Sequence, residues 1–260
     1  MMPQASGSTL RTAHLDRAGR AQPVGRVVRP APSGGSVTAV DELFGDELVP
    51  RAPRELAPGA VHVPGWLSAH QQRWLVDRFR EWTAGPVSLH SSVVRGHPMS
   101  VRTVCLGWHW RPYQYTREAV DVNGNRVLDV PDWMVRLGRS ALDAALGPGA
   151  GSEYTPDTAL ANFYDDDATM GMHQDRDERS RAPVVSLSLG DTCRFRFGNT
   201  ETRTRPYEDL ELRSGDLFVF GGPARLAYHG VMRVFPGTAP SDCGLDRGRI
   251  NITLRETGLG

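Results

Sequence analysis

Apolar and polar residues follow two different periods along this chain, a helical one in the first half and a strand-like one after it. Between Ser68 and Gly85, Trp74, Leu75, Phe79 and Trp82 recur at helical spacing. This predicts a helix with Ser68 as its N-cap and those four side chains in the core. A second helix is predicted from Asp132, just behind Pro131, to a stop at Gly147, with Met134, Leu137, Ala141 and Ala145 on one stripe. Asn123-Gly124, set between Val120–Val122 and Arg126–Leu128, reads as a hairpin turn. From Leu160 onward the period falls to two. Val185, Leu187 and Leu189 alternate with serines, Cys193, Phe195 and Phe197 with arginines, and Ile250, Ile252 and Leu254 alternate near the end. Several short strands of this kind, separated by turns, predict an α+β architecture with helices first and a jelly roll after them.

Residues 1 to about 40 carry no sustained apolar period and are rich in Gly, Ser, Pro, Ala and Arg. Such a segment buries too little surface to offset its ordering entropy, so a disordered basic tail is expected there. The remaining 41–260 are long enough for one domain with a substantial core. No apolar run approaches the ~20 residues of a membrane helix, and Met1 to Leu10 lack a secretory pattern. The three cysteines, Cys105, Cys193 and Cys243, are widely separated and form no zinc or redox motif. A reducing, cytoplasmic setting is therefore expected, with no membrane partner. The formal net charge is zero, with all thirty basic residues arginine, so the chain as a whole exerts no electrostatic pull on nucleic acid.

The candidate chemistry centres on Asn162 to Glu178. His173 and Asp175 stand two residues apart, and on a strand that spacing puts both side chains on one face. An imidazole beside a carboxylate makes two-thirds of a facial triad for non-haem Fe(II). His14-Leu-Asp16 shows the same spacing, but in the tail, where no scaffold holds it. His229 is the only histidine downstream of the pair; it fits a third ligand, and taken alone it also fits a buried histidine bonded to a backbone carbonyl. The last strand then puts Arg249, Asn251, Thr253 and Arg255 on one face and Ile250, Ile252 and Leu254 on the other. The polar face suits either solvent or an oxo-acid, because the planar fork of arginine captures a carboxylate in bidentate fashion.

Linked motifs in order complete the pattern: Asn162-x-Tyr164, His173-Gln-Asp175-Arg-Asp177-Glu, Arg181 to Gly190, Gly215-Asp216, Tyr228-His229-Gly230 and Arg249-x-Asn251-x-Thr253-x-Arg255. Over residues 95 to 257 the chain resembles the AlkB-like 2-oxoglutarate- and Fe(II)-dependent dioxygenases, most closely those of the bacterial alkylation-repair type. The resemblance implies a double-stranded β-helix core over about 155–257 and a nucleotide-recognition lid over about 95–130. It implies Fe(II) on His173, Asp175 and His229, with O2 and 2-oxoglutarate as co-substrates. Arg249 would take the distal carboxylate, helped by Asn162 and Tyr164, with Asn251, Thr253 and Arg255 lining the same pocket. The implied substrate is alkylated DNA or RNA of the 1-methyladenine or 3-methylcytosine type, dealkylated with release of aldehyde, succinate and CO2 by a monomeric enzyme.

By the same resemblance Trp108 would stack on the extruded base and Tyr113 would contact the nucleotide. Asp177 would meet a cationic base, although a surface carboxylate fits its position equally, and Arg203 would touch the nucleic acid. Trp110, Tyr115 and Met99 read as packing. Two other classes are weighed against this. A dioxygenase of a protein or small molecule would keep the triad and Arg249 but have no use for an aromatic platform. A non-catalytic jelly roll would need neither the histidines nor the arginine strand.

Overall fold

Strand alternation and two amphipathic helices build the protein, a computed structural model that describes residues 51–260. The tail expected over 1–40 and the His14–Asp16 pair lie outside the described residues. In chain order the elements are β1 (Arg54–Ala57), β2 (Ala60–Val63), α1 (Ala69–Thr83), β3 (Val93–Val94), β4 (His97–Pro98), β5 (Arg102–Leu106), β6 (His109–Arg111) and β7 (Gln114–Thr116). There follow α2 (Asp132–Leu146), β8 (Thr158–Tyr164), β9 (Met170–His173), β10 (Val184–Gly190), β11 (Thr192–Gly198), β12 (Tyr207–Leu212), β13 (Leu217–Phe220), β14 (His229–Phe235) and β15 (Arg249–Arg255). A major sheet runs β1-β2-β13-β10-β15-β8-β5 and a minor one β12-β11-β14-β9, while β3–β4 and β6–β7 form separate ribbons. The predicted α+β jelly roll is the fold observed.

Ser68 caps α1 in a reciprocal box with Gln71, which satisfies two backbone donors at the helix start. Leu75, Phe79 and Trp82 are buried as the period predicts, but Trp74 is 39% exposed and packs edge-on against Trp133 at 4.6 Å. The predicted second helix is α2, which ends at Gly147 with φ 104°. Between β7 and α2 the expected hairpin is reduced to a single antiparallel bridge, Glu118 to Arg126, around the turn. Val122, Asn123 and Gly124 all donate to Ala119 O, so Asn123-Gly124 closes a compact turn instead of joining two strands.

The site is positioned by the two faces of β15. Ile250, Ile252 and Leu254 pack with Val185, Leu187 and Leu189 against Leu75, Val76, Met134 and Leu142 of the helices. The opposite face looks into the space between the sheets, where Phe195, Phe197, Phe218 and Phe220 form a second cluster. Arg249, Thr253 and Arg255 are buried there, which rules out a solvated outer face.

Asp216, in the turn before β13, ties the start of the described chain to the barrel. Its carboxylate accepts from both terminal nitrogens of Arg51 at 2.9 and 2.7 Å, from the backbone N–H groups of Gly65 and Arg213, and lies 2.9 Å from His62 Nε2. Burial alone would raise its pKa; the bonds from His62, Arg51 and the two amides override that and hold it down to about 2, against an ordinary 3.8. A carboxyl with a depressed folded pKa stabilises the protein fully above its unfolded value, and that stability is lost as pH falls toward the folded one. At ~1.4 kcal/mol per pKa unit, the stability gap between the native protein and Asp216→Asn narrows by roughly 2 kcal/mol between pH 5 and pH 2. Urea unfolding across that range reads it; a constant gap would contradict the assignment.

Candidate active site

The two histidines arrive from neighbouring strands of the minor sheet. His173 ends β9, His229 begins β14, and the two are register partners with ring centroids 4.4 Å apart. Each makes the same local bond: His173 Nδ1 to Gly171 O at 2.9 Å, His229 Nδ1 to Ala227 O at 3.0 Å. A carbonyl only accepts, so each Nδ1 carries the proton and each Nε2 keeps a lone pair. Asp175 sits two residues past His173, beyond the end of β9, and its carboxylate still faces the same chamber as the imidazole. Its Oδ1 lies 3.6 Å from His173 Nε2 and its Oδ2 3.7 Å from His229 Nε2.

The three ligand atoms lie within 4.8 Å of one another, and both histidines are held by the carbonyl bonds that metal-binding imidazoles use for orientation. Burial, followed by the nearby His173, lowers His229 to a pKa of about 4, which keeps it neutral and its Nε2 free. Burial would raise the pKa of Asp175, but the charge of Arg255, then the two imidazoles, drives it well below the usual carboxylate range. Two neutral imidazoles and one carboxylate are the donor set that fits a divalent metal.

Arg249 lies on the same inner face and is 1% exposed. Its Nη2 donates to Ser188 Oγ at 2.8 Å, Nη1 reaches two carbonyls at 3.4 and 3.5 Å, and Nε has no partner. No carboxylate among the described residues pairs with it. Its register partner Tyr164 is buried too, and the phenol reaches only Met170 Sδ, at 3.8 Å. A buried cation and a buried hydroxyl without an oxygen partner are costly unless an anion completes them. A carboxylate is the group they fit. Asn162, Asn251, Thr253 and Arg255 line the same chamber, with Asn251 held by Ser186 and Asn162 by Thr103.

Arg255 is occupied differently. Nη2 pairs with Asp175 Oδ2 at 2.9 Å, and Nη1 contacts Glu178 Oε1 at 2.9 Å and Tyr115 Oη at 3.2 Å. Glu178 also binds Arg225, which in turn donates to the backbone carbonyl of Asp175 at 2.6 Å. Two acids and two arginines thus form a closed buried ring that clamps the metal-facing carboxylate. Sequence reasoning missed Glu178 and Arg225 and read Tyr115 as packing. The run of charged residues around Glu178 was visible, but its partners lie 47 to 77 residues away in sequence.

A cleft of about 370 Å³ opens over the triad. Tyr113, Asp177 and Arg203 line it as the sequence suggests, and Met99 and Trp110, read as packing, line it too. Tyr113 is 60% exposed at the tip of the β6–β7 ribbon with φ 71°. Trp108 is not among the lining residues. Its indole donates to Asp157 at 3.1 Å, and Arg117 stacks on the ring at 3.7 Å. The chain turns at Gly107, φ 75°, where a Cβ would fall 1.9 Å from Asp157 O. Trp108 lies in the bend between β5 and β6, whereas Trp110, on β6, lines the cleft.

A jelly roll with a two-histidine, one-carboxylate cluster beside a buried arginine that no carboxylate pairs among the described residues defines the metal-dependent 2-oxo-acid oxygenases as a class. Residues 59–255 match the profile of the 2OG-Fe(II) oxygenase superfamily. The chain belongs to that superfamily and, within it, to the AlkB-like dioxygenases. It is 39% identical over 209 residues to the alpha-ketoglutarate-dependent dioxygenase AlkB homolog of Caulobacter vibrioides, covering 78% of this chain and 90% of that one. It is 28% identical over 221 residues to the DNA N(6)-methyladenine demethylase ALKBH1D of Arabidopsis thaliana, covering 77% and 50%. Among solved structures, that of OsALKBH1 superposes with a TM-score of 0.70 at 31% identity, covering 78% of this chain and all of the other. Among the described residues no helix is long and apolar enough to cross a membrane.

Proposed function

We propose that the protein oxidatively dealkylates N-alkylated nucleobases in DNA or RNA, with Fe(II) on His173, Asp175 and His229 and 2-oxoglutarate on Arg249. The observation that carries this reading is that a cleft walled by Trp110, Tyr113 and Asp177 opens directly onto His173 and Asp175 of the triad. Its volume and mix of apolar walls with a few polar groups suit a planar aromatic ligand. Names in the family point the same way, since the Arabidopsis relative is called a DNA demethylase.

When bound, iron with 2-oxoglutarate and O2 supplies the oxidant that hydroxylates the N-alkyl carbon, and the product breaks down to aldehyde and unmodified base. The chain supplies placement. Arg249 would hold the far carboxylate, and the Tyr164 hydroxyl, kept protonated by burial, would donate to it. Gly171 O and Ala227 O fix the two imidazoles, and the Arg255–Glu178–Arg225 ring fixes Asp175. Trp110 and Tyr113 offer π faces that offset part of the cost of extruding a base, while Arg203 and Arg176 stand in the same cleft for the phosphate chain.

The test is mass spectrometry of methylated single- and double-stranded DNA and RNA oligonucleotides incubated with enzyme, Fe(II) and 2-oxoglutarate. Loss of a methylene mass from at least one substrate, matched by succinate, is expected. Succinate release without dealkylation of any oligonucleotide would replace this reading by oxidation of a protein or small molecule.

A further inference from the structure

The cleft contains two carboxylates with opposite circumstances. Asp175 is ion-paired with Arg255, whereas Asp177 has no ion-pair partner among the described residues. Its Oδ2 accepts a hydrogen bond from Trp110 Nε1 at 2.9 Å, and its Oδ1 accepts none among the described residues. The donor and acceptor are 67 residues apart, on β6 and on the segment after β9. Trp110 is itself held: its ribbon partner is Tyr115, whose hydroxyl binds Glu178, the residue next to Asp177. Its neighbour His109 is buried and bonded to Asp121 at 2.7 Å.

We propose that Trp110 is a positioning residue: its indole N–H holds Asp177 so that the free oxygen faces the base and favours cationic alkylated bases over neutral ones. The inference rests on the dealkylase reading. A base methylated at a ring nitrogen, such as 1-methyladenine, is a cation near neutral pH, whereas 3-methylthymine is neutral. A carboxylate in a site partly shielded from water attracts the first far more strongly than the second. That attraction is selective only while the carboxylate stays aimed at the base. Arg176 and Arg203 line the same cleft and would compete for an unrestrained Asp177. The indole bond occupies one oxygen with a neutral donor, which fixes direction without cancelling charge. Phenylalanine at 110 would keep an aromatic face and lose only the tether.

The experiment compares the native protein, Trp110→Phe, Asp177→Asn and the double variant on two oligonucleotides that differ only in carrying 1-methyladenine or 3-methylthymine. The ratio of kcat/KM for the cationic over the neutral base should fall about tenfold in Trp110→Phe, the worth of one hydrogen bond to a charged group. It should fall at least as far in Asp177→Asn, and no further in the double variant, because the two residues act as one unit. An unchanged ratio in Trp110→Phe, or additive losses in the double variant, would overturn the proposal. Equilibrium binding of the same oligonucleotides by fluorescence anisotropy without O2 gives the ratio independently of turnover. If the native protein dealkylates neither these two bases nor any other methylated oligonucleotide, the dealkylase reading falls and the binding ratio still decides the tether. A 15N spectrum adds a direct check: the indole resonance missing from Trp110→Phe must shift in Asp177→Asn, and one that does not move overturns the contact.

Discussion

Alanine at Asp175 should abolish iron-dependent formation of succinate from 2-oxoglutarate, and alanine at His173 should do the same. The two losses differ in depth. At His173 one neutral ligand disappears. At Asp175 the only anionic ligand disappears, and Arg255 loses one of its two carboxylate partners, so a less compensated guanidinium stands next to the cation position. Breaking a buried pair from one side typically costs 3–5 kcal/mol. Fe(II) affinity should therefore fall by at least ~100-fold in Asp175→Ala and by less in His173→Ala. Anaerobic metal titration gives the affinities and mass spectrometry the succinate. Full turnover in either variant removes these residues from the metal site.

Methionine at Arg249 has two consequences of opposite sign. Loss of the buried cation removes the partner of the distal carboxylate, and truncating one side of a buried charge pair costs about 2–5 kcal/mol. The KM for 2-oxoglutarate should rise by about 100-fold or more. The same change relieves the ligand-free protein of a buried charge that no carboxylate balances, and replacing such groups by apolar ones of similar length is commonly neutral or stabilising. Thermal unfolding should thus show Arg249→Met at or above the native melting temperature without ligand. The stabilisation that 2-oxoglutarate gives the native protein by mass action should be missing from the variant. A variant that melts well below the native protein, or still gains from 2-oxoglutarate, would show Arg249 to be structural.

The chemistry was legible in the sequence where a single strand or short loop carries it. The alternation of Arg249, Asn251, Thr253 and Arg255 against Ile250, Ile252 and Leu254 needed only the two-residue period of a strand, and both faces went where it said. His173, Asp175 and His229 converge because β9 and β14 pair. What could not be read locally depends on turns and long-range contacts. Trp108 and Trp110 are two residues apart, yet the first lies in the bend before β6, held by Asp157 and Arg117, and only the second lines the cleft. Glu178 and Arg225 find each other across the barrel, and nothing in the neighbouring sequence of either marks the pairing. Asn123-Gly124 carried a true turn signal, and its arms pair through one antiparallel bridge, Glu118 to Arg126, without lengthening into strands.

The place of β15 in the major sheet bears on the order in which this enzyme becomes competent during synthesis. It is the last strand in the chain, yet it lies between β8 and β10. Without it the sheet order would break into two parts, β5 with β8 and β10 with β13, β2 and β1. Closing that gap is a non-local step, slow relative to hairpin formation. The same strand carries Arg249 and Arg255, so a growing chain can bring His173 near His229 before it can bind an oxo-acid or clamp Asp175. The strand that joins the two parts of the sheet is therefore also the one that completes the oxo-acid pocket.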